Sequence, residues 1–172
     1  MKILISGSNQ LNSYNYFCNI TESIISKIQY DKEISLKDIT FLSFDSPNGT
    51  DYYVRKYCLE KNLNLNVVKI DWNNTGNIKR PINWGNTPVC LIGKSFYGEY
   101  NKLAKFLANQ EAVDECVGEI CIAFDAEEKK GSTGTRDMIK RAKKSWMKVY
   151  HVKCHDLENI EIKVYNEGLQ KE

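Results

Sequence analysis

An α/β fold, with a parallel sheet of five or six strands and helices on both faces, is predicted by three observations. First, short apolar runs alternate with amphipathic segments in the order β-α-β-α-β over residues 2–70, the pattern of parallel strands joined by crossover helices. Second, the wholly apolar run Ile120-Cys121-Ile122-Ala123-Phe124 reads as a buried strand. It leads through an acidic and basic loop into Gly131-Ser132-Thr133-Gly134-Thr135 and then a segment with Met138, Ile139 and Ala142 at helical spacing. Third, Ile160-Glu161-Ile162-Lys163-Val164-Tyr165 alternates strictly, which suits a strand at a sheet edge with one face in water.

Taken in order, Lys2–Ser6 is the first strand, closed by Gly7-Ser8-Asn9. Phe17, Ile20, Ile24 and Ile28 recur at steps of three and four, with Ser13 placed to cap the helix they define. Ile39–Phe44 is the second strand, ending in Asp45-Ser46-Pro47-Asn48-Gly49-Thr50-Asp51, turn chemistry throughout. A helix from about Thr50 presents Tyr53, Val54, Tyr57 and Cys58 on one face, and Leu65–Ile70 makes a third strand closing at Asp71-Trp72. Residues 73–100 break this rhythm with Pro81, Pro88, four glycines and several asparagines. A connection of that length in a compact domain points to a lid or an oligomer contact. Val89–Ile92 is expected as a short extra strand within it, Tyr100–Asp114 as a helix, and Met147–Val152 as a fifth strand. Nothing divides the chain, so residues 1–172 form one domain with an insertion at about 73–100.

Bulk composition narrows the function. Apolar residues make up 42% and charged residues 27%, and Lys+Arg 24 against Asp+Glu 22 leaves a formal charge of +2, too balanced for a general nucleic-acid binder. No apolar run approaches the roughly 20 residues that span a bilayer, and no charged-then-apolar leader opens the chain, so a cytoplasmic protein without a membrane partner is expected. The six cysteines lack any C-x-x-C pairing and read as reduced core residues. Cys154, His155 and His151 cluster without a second half, so neither a metal nor a cofactor is expected. Asn19, Asn48 and Asn73 match the glycosylation pattern, which carries no weight without secretion.

The Gly131–Thr135 turn is the strongest chemical signal. Strand, small-residue turn and helix aim free backbone N–H groups at an anion, and the hydroxyls of Ser132, Thr133 and Thr135 can cap the helix or donate to a phosphate oxygen. The alternative is a well-capped βα turn and nothing more. Gly93-Lys94-Ser95 looks like the end of a P-loop, but the glycine required five positions before Gly93 is Pro88. Lys140, Arg141, Lys143 and Lys144 form a basic run, read as a solvated helix face or, less simply, a polyanion contact.

Gly7-Ser8, Gly49-Thr50-Asp51, Asp71-Trp72, Asn109-Gln110-Glu111, Ile122-Ala123-Phe124 and Ser132-Thr133-Gly134-Thr135-Arg136-Asp137-Met138-Ile139 fall in an order that resembles the SLOG superfamily of Rossmann-like domains. That superfamily includes DprA-like and lysine-decarboxylase-like proteins, and the likeness is nearest to its YpsA-related branch. The resemblance covers most of residues 2–152. It implies a ligand at the carboxyl ends of the strands, with Gly7 and Ser8 on one side, Gly49, Thr50 and Asp51 on another, and the Gly131–Thr135 turn under a phosphate. There are departures. Asp45-Ser46-Pro47-Asn48 precedes Gly49 where the branch has a glycine pair, and Ala108 precedes Asn109 where it has arginine. Met138 stands where the related phosphoribohydrolases carry a glutamate, with Asp137 one residue earlier. Methionine can neither donate nor accept a proton, so that activity does not transfer simply.

Asp51 either contacts a ribose hydroxyl or serves the helix dipole. Asp71 either orients a base or sugar or caps a turn, and Trp72 either stacks on a base or packs. The leading expectation is a binding protein for a nucleotide or nucleotide-derived signal, oligomeric through the 73–100 insertion. One rival is an enzyme acting at a nucleotide N-glycosidic bond, with Asp45, Asp51 or Asp137 as the working carboxylate. The other is a protein-interaction module that has lost its ligand.

Overall fold

The computed structural model describes residues 1–75, 82–84, 87–89, 92–126, 133–154 and 160–166. Lys2–Gly7 (β1), Tyr14–Lys32 (α1), Thr40–Phe44 (β2), Gly49–Glu60 (α2) and Asn64–Val68 (β3) give the first half. Ile82–Trp84 (β4), Thr87–Val89 (β5), Ile92–Ser95 (β6) and Gly98–Asn101 (β7) lie in the insertion. Ala104–Glu115 (α3), Ile120–Asp125 (β8), Thr133–Lys144 (α4), Lys148–Lys153 (β9) and Glu161–Tyr165 (β10) complete the chain. Six strands form one sheet in the order β10-β9-β8-β1-β2-β3. All neighbours are parallel except β10, which runs antiparallel to β9 at the edge, where its alternating sequence places it. The Rossmann-like α/β architecture expected from the sequence is present.

The period of two along β1 divides the core between the two faces. Ile3 and Ile5 join Phe17, Ile24, Ile28, Val54 and Tyr57 on the α1–α2 side. Leu4 joins Ala104, Ala108, Met138, Ile139 and Ala142 on the α3–α4 side. Phe17 anchors the first layer, its ring 5.2 Å from that of Phe124, 5.9 Å from Tyr53 and 6.2 Å from Tyr57. The Ser13 hydroxyl accepts from the Tyr16 amide at 3.3 Å and starts α1 as its spacing predicts. Among the described residues no helix is long and apolar enough to cross a membrane.

The insertion differs from the sequence-based expectation. Val89 ends β5 and Ile92 begins β6, in the separate hairpins β4–β5 and β6–β7, while Cys90 and Leu91 of the expected strand lie outside the described residues. α3 starts at Ala104 rather than Tyr100, because Tyr100 and Asn101 pair with Gly93 and Ile92. The Asn101 side chain then turns the chain, accepting from the Leu103 amide at 2.8 Å. A Cβ on Gly93 would lie 2.2 Å from the Tyr100 ring, so glycine here is what lets the ring cover the hairpin. The buried face of α3 is made of small residues, Ala104, Ala108 and Ala112 with Asn109 and Val113, while Leu107 points to solvent.

Candidate functional site

The chain builds β1-β2-β3 in one direction and then returns to lay β8, β9 and β10 on the other side of β1. Strand order therefore reverses between β1 and β8, and in open α/β sheets the crevice beyond the carboxyl ends at that reversal is where ligands bind. Gly7 ends β1 opposite Phe124 of β8. A Cβ on Gly7 would sit 2.3 Å from the Phe124 carbonyl oxygen and 2.7 Å from the Thr50 hydroxyl. The absent side chain is thus a condition of the two strand ends and α2 meeting.

Ser8 and Thr50 are fully buried and hold this corner together. The Ser8 amide donates to the Phe124 carbonyl at 2.8 Å, and the Ser8 carbonyl accepts from both the Thr50 amide (3.1 Å) and the Thr50 hydroxyl (3.0 Å). The Ser8 hydroxyl accepts from the Gln10 amide at 3.1 Å. One donor at the start of α2 is therefore satisfied from within the fold. Gly49, at φ +64°, tucks beneath the Ser8-Asn9 backbone.

Asp51 is 2% exposed. It accepts from the Ser43 hydroxyl at 3.5 Å and pairs with the Lys105 ammonium at 3.3 Å. Lys105 also lies 3.7 Å from the centroid of the Phe44 ring, a cation–π placement that offsets part of its lost hydration. Burial pulls the Lys105 pKa below its ordinary 10.5, while the Asp51 carboxylate acts in the opposite sense. Lys105 is a residue that sequence reasoning missed. It stands in the first turn of α3, against the helix dipole, and that violated preference was the one local signal available. Arg55 was missed too. Its guanidinium donates to the carbonyls of Phe44, Asp51 and Ser46 and so clamps the β2–α2 connection.

Asp45 is exposed, yet one of its oxygens accepts from the Ile70 amide at 3.0 Å and ties the end of β2 to the end of β3. Asp71 is exposed, and its carbonyl accepts from Asn74. Trp72 is 44% exposed and meets Tyr100 edge-on at 6.5 Å, with its carbonyl accepting from Asn101 at 2.7 Å. The indole is thus where the insertion joins the sheet end.

On the other side of the crevice, α4 opens from β8. Gly131 and Ser132 lie outside the described residues; Thr133 is exposed, Gly134 half-buried and Thr135 buried. Asn109, fully buried on α3, donates through Nδ2 to the Gly134 carbonyl (3.1 Å) and to Asp137 (3.0 Å). Asp137 accepts also from Arg141 at 2.8 Å, and Arg141 in turn reaches Gln110. Asp137 and Asn109, picked from sequence for chemistry and for resemblance, therefore brace the first turn of α4 against α3. Replacing Asn109 with alanine leaves the Gly134 carbonyl and Asp137 each short of a donor. The expected cost is about 1–3 kcal/mol, read as a lower denaturant midpoint at constant slope. A change within about 0.5 kcal/mol would remove the bracing role.

The structure thus gathers Gly7, Ser8, Gly49, Thr50 and Asp51 with Lys105 on one side of the reversal, and Asn109, Gly134, Thr135 and Asp137 on the other. Asp71 and Trp72 stand at the end of β3, two strands from β1. Cys58, Cys116, Cys121 and Cys154 are buried free thiols, and Cys90 and His155 lie outside the described residues. No trio of His, Cys, Asp or Glu among the described residues is placed to hold a metal. No protein-family model, curated protein or solved structure matches the chain.

Proposed function

We propose that the chain binds a nucleotide or nucleotide-derived signal in the crevice between β1 and β8, with a phosphate against the Gly131–Thr135 turn at the head of α4. The reading extends to sensing or sequestering that ligand as an intracellular homo-oligomer joined through the 73–100 insertion. The supporting observation is the reversal of strand order between β1 and β8, with Gly7 and the first turn of α4 beside it. α4 has twelve residues and, among the described residues, no acidic side chain in its first turn, and the positive end of a helix dipole favours an anion. The three candidate carboxylates already have work in the fold: Asp45 holds Ile70, Asp51 holds Lys105, and Asp137 holds Asn109 and Arg141. Binding is therefore favoured over glycosidic-bond cleavage.

The test is thermal stabilisation by a panel of mononucleotides, cyclic nucleotides and NAD-derived compounds. A bound member at 100 times its Kd adds about 2.7 kcal/mol. Gly134→Val should abolish that gain while the unliganded protein melts as before, since valine costs a helix no more than glycine does. If no panel member stabilises the wild type, or if the variant binds as well as wild type, the reading fails.

A further inference from the structure

A second feature lies on the flank of the sheet formed by β9 and β10. α4 and the strands β9 and β10 enclose a groove of about 370 Å³ lined by Arg136, Ile139, Lys140, Lys143, Lys144, His151 and Tyr165. Among the described residues that line it, four are cations and none is a carboxylate, in a chain whose formal excess is only two positive charges. The cations come from one helix face, at positions i, i+4, i+7 and i+8, and extend about 12 Å along its axis. Neighbouring cations outside the groove are neutralised: Arg141 by Asp137, and Lys153 and Lys163 by Glu161. None of Arg136, Lys140, Lys143 or Lys144 has a carboxylate partner among the described residues.

The groove wall is built and not merely charged. His151 is 9% exposed and its Nε2 is 3.3 Å from Asp125. Asp125 is not among the described lining residues, whereas the imidazole that pairs with it is. On its other side His151 stacks against Tyr165, and Lys143 sits 3.9 Å above the centroid of the Tyr165 ring. The Asn166 side chain donates to the carbonyls of Lys143 and Met147, fastening the end of β10 to the end of α4.

We propose that this groove is a binding site for a compact polyphosphate, inorganic or carried by a nucleotide, distinct from the crevice. Cation density favours phosphate over an acidic peptide. An extended peptide turns only every second side chain to one face, about 7 Å apart, which would leave half of these cations unmatched. A single-stranded nucleic acid fits less well, because such strands are held by stacking bases on open aromatic faces. The Tyr165 ring in the groove wall has His151 against it and Lys143 over it.

The experiment is calorimetric titration of the full chain with tripolyphosphate, in parallel with a nucleoside triphosphate and an oligothymidylate. Wild type should bind tripolyphosphate with an affinity that falls steeply between about 50 and about 200 mM salt. The double variant K140E/K144E, which alters two solvated side chains, should weaken it by about tenfold or more, with an unchanged melting curve as the folding control. Gly134→Val should bind tripolyphosphate as wild type does, so failure here and failure at the crevice are separable. Equal affinity for tripolyphosphate and the triphosphate marks an inorganic source as sufficient; tighter binding of the triphosphate that K140E/K144E also weakens marks the nucleotide as carrier, and both support the site. No binding at low salt, undiminished binding by K140E/K144E, or preference for the oligothymidylate over both polyphosphates would overturn it.

Discussion

Gly49→Ala is expected to destabilise the protein by about 2–5 kcal/mol. Two independent costs add at this position. Gly49 sits at φ +64°, in the left-handed region that an L side chain enters at a cost of about 1–2 kcal/mol. Its new methyl group would also lie 2.4 Å from the Asn9 Cα and 2.5 Å from the Ser8 carbonyl oxygen. Both are backbone atoms, so relief requires moving a chain segment, not rotating a side chain. That segment is the turn that closes β1, and its shift pulls the Ser8 carbonyl from the Thr50 amide and hydroxyl. The effect should appear as a lower midpoint in denaturant melts. A variant within about 0.5 kcal/mol of wild type would mean that the contact between the turn and α2 yields easily.

Much of this architecture was legible from periodicity, and the parts that were not share a cause. The Phe17 and Ile24 face, the Ser13 cap and the Met138-Ile139-Ala142 stripe all report on one element meeting a large neighbour, whereas the alternation at residues 160–165 marks an edge strand whose Ile160 and Ile162 stay 44% and 40% exposed. Local sequence carries that information fully. The start of α3 was misread because Tyr100 and Asn101 are compatible with helix, and only pairing with Ile92 and Gly93 commits them to a strand. Lys105 and Asp51 are 54 residues apart in sequence, and the reason for each lies in the other, so neither alone discloses the ion pair. The candidate site shows the same division. The small residues Gly7, Gly49 and Gly134 were picked as contacts for a ligand, and the first two prove also to be packing requirements of the crevice itself. The basic run on α4 reads from sequence as a solvated face or a polyanion contact, and β9 and β10 make four of the helix cations one wall of a groove.

Raising the pH from 9 toward 10.5 is expected to unfold the protein, and the buried thiols set the direction. Cys58, Cys116, Cys121 and Cys154 are no more than 6% exposed, and burial pushes each thiol from an ordinary 9.0 up to about 12. Below pH 9 the native and unfolded chains both keep these protons, so stability is undiminished. Between 9 and 12 the unfolded chain releases them while the native chain does not, and stability falls as pH rises. Each thiol contributes about 1.4 kcal/mol per pH unit in that window, so four together cost about 5.6 kcal/mol at pH 10, within the lower range of a whole domain's stability. Lys105 works the other way. Its lowered native pKa makes the unfolded chain the better proton holder up to 10.5, but the four thiols oppose it, and burial of Cys18, Tyr14 and Tyr57 raises their pKa values and adds to the thiols' side. Denaturant melts under reducing conditions from pH 7.5 to 10.5 measure the slope, and Cys121→Ala should make it shallower by one thiol's share, about 1.4 kcal/mol per pH unit above pH 9, whatever that variant costs at neutral pH. A midpoint flat across this range, or a slope unaltered by the Cys121 substitution, would mean that the native interior tolerates thiolate, and the burial of these side chains would then no longer account for their protonation.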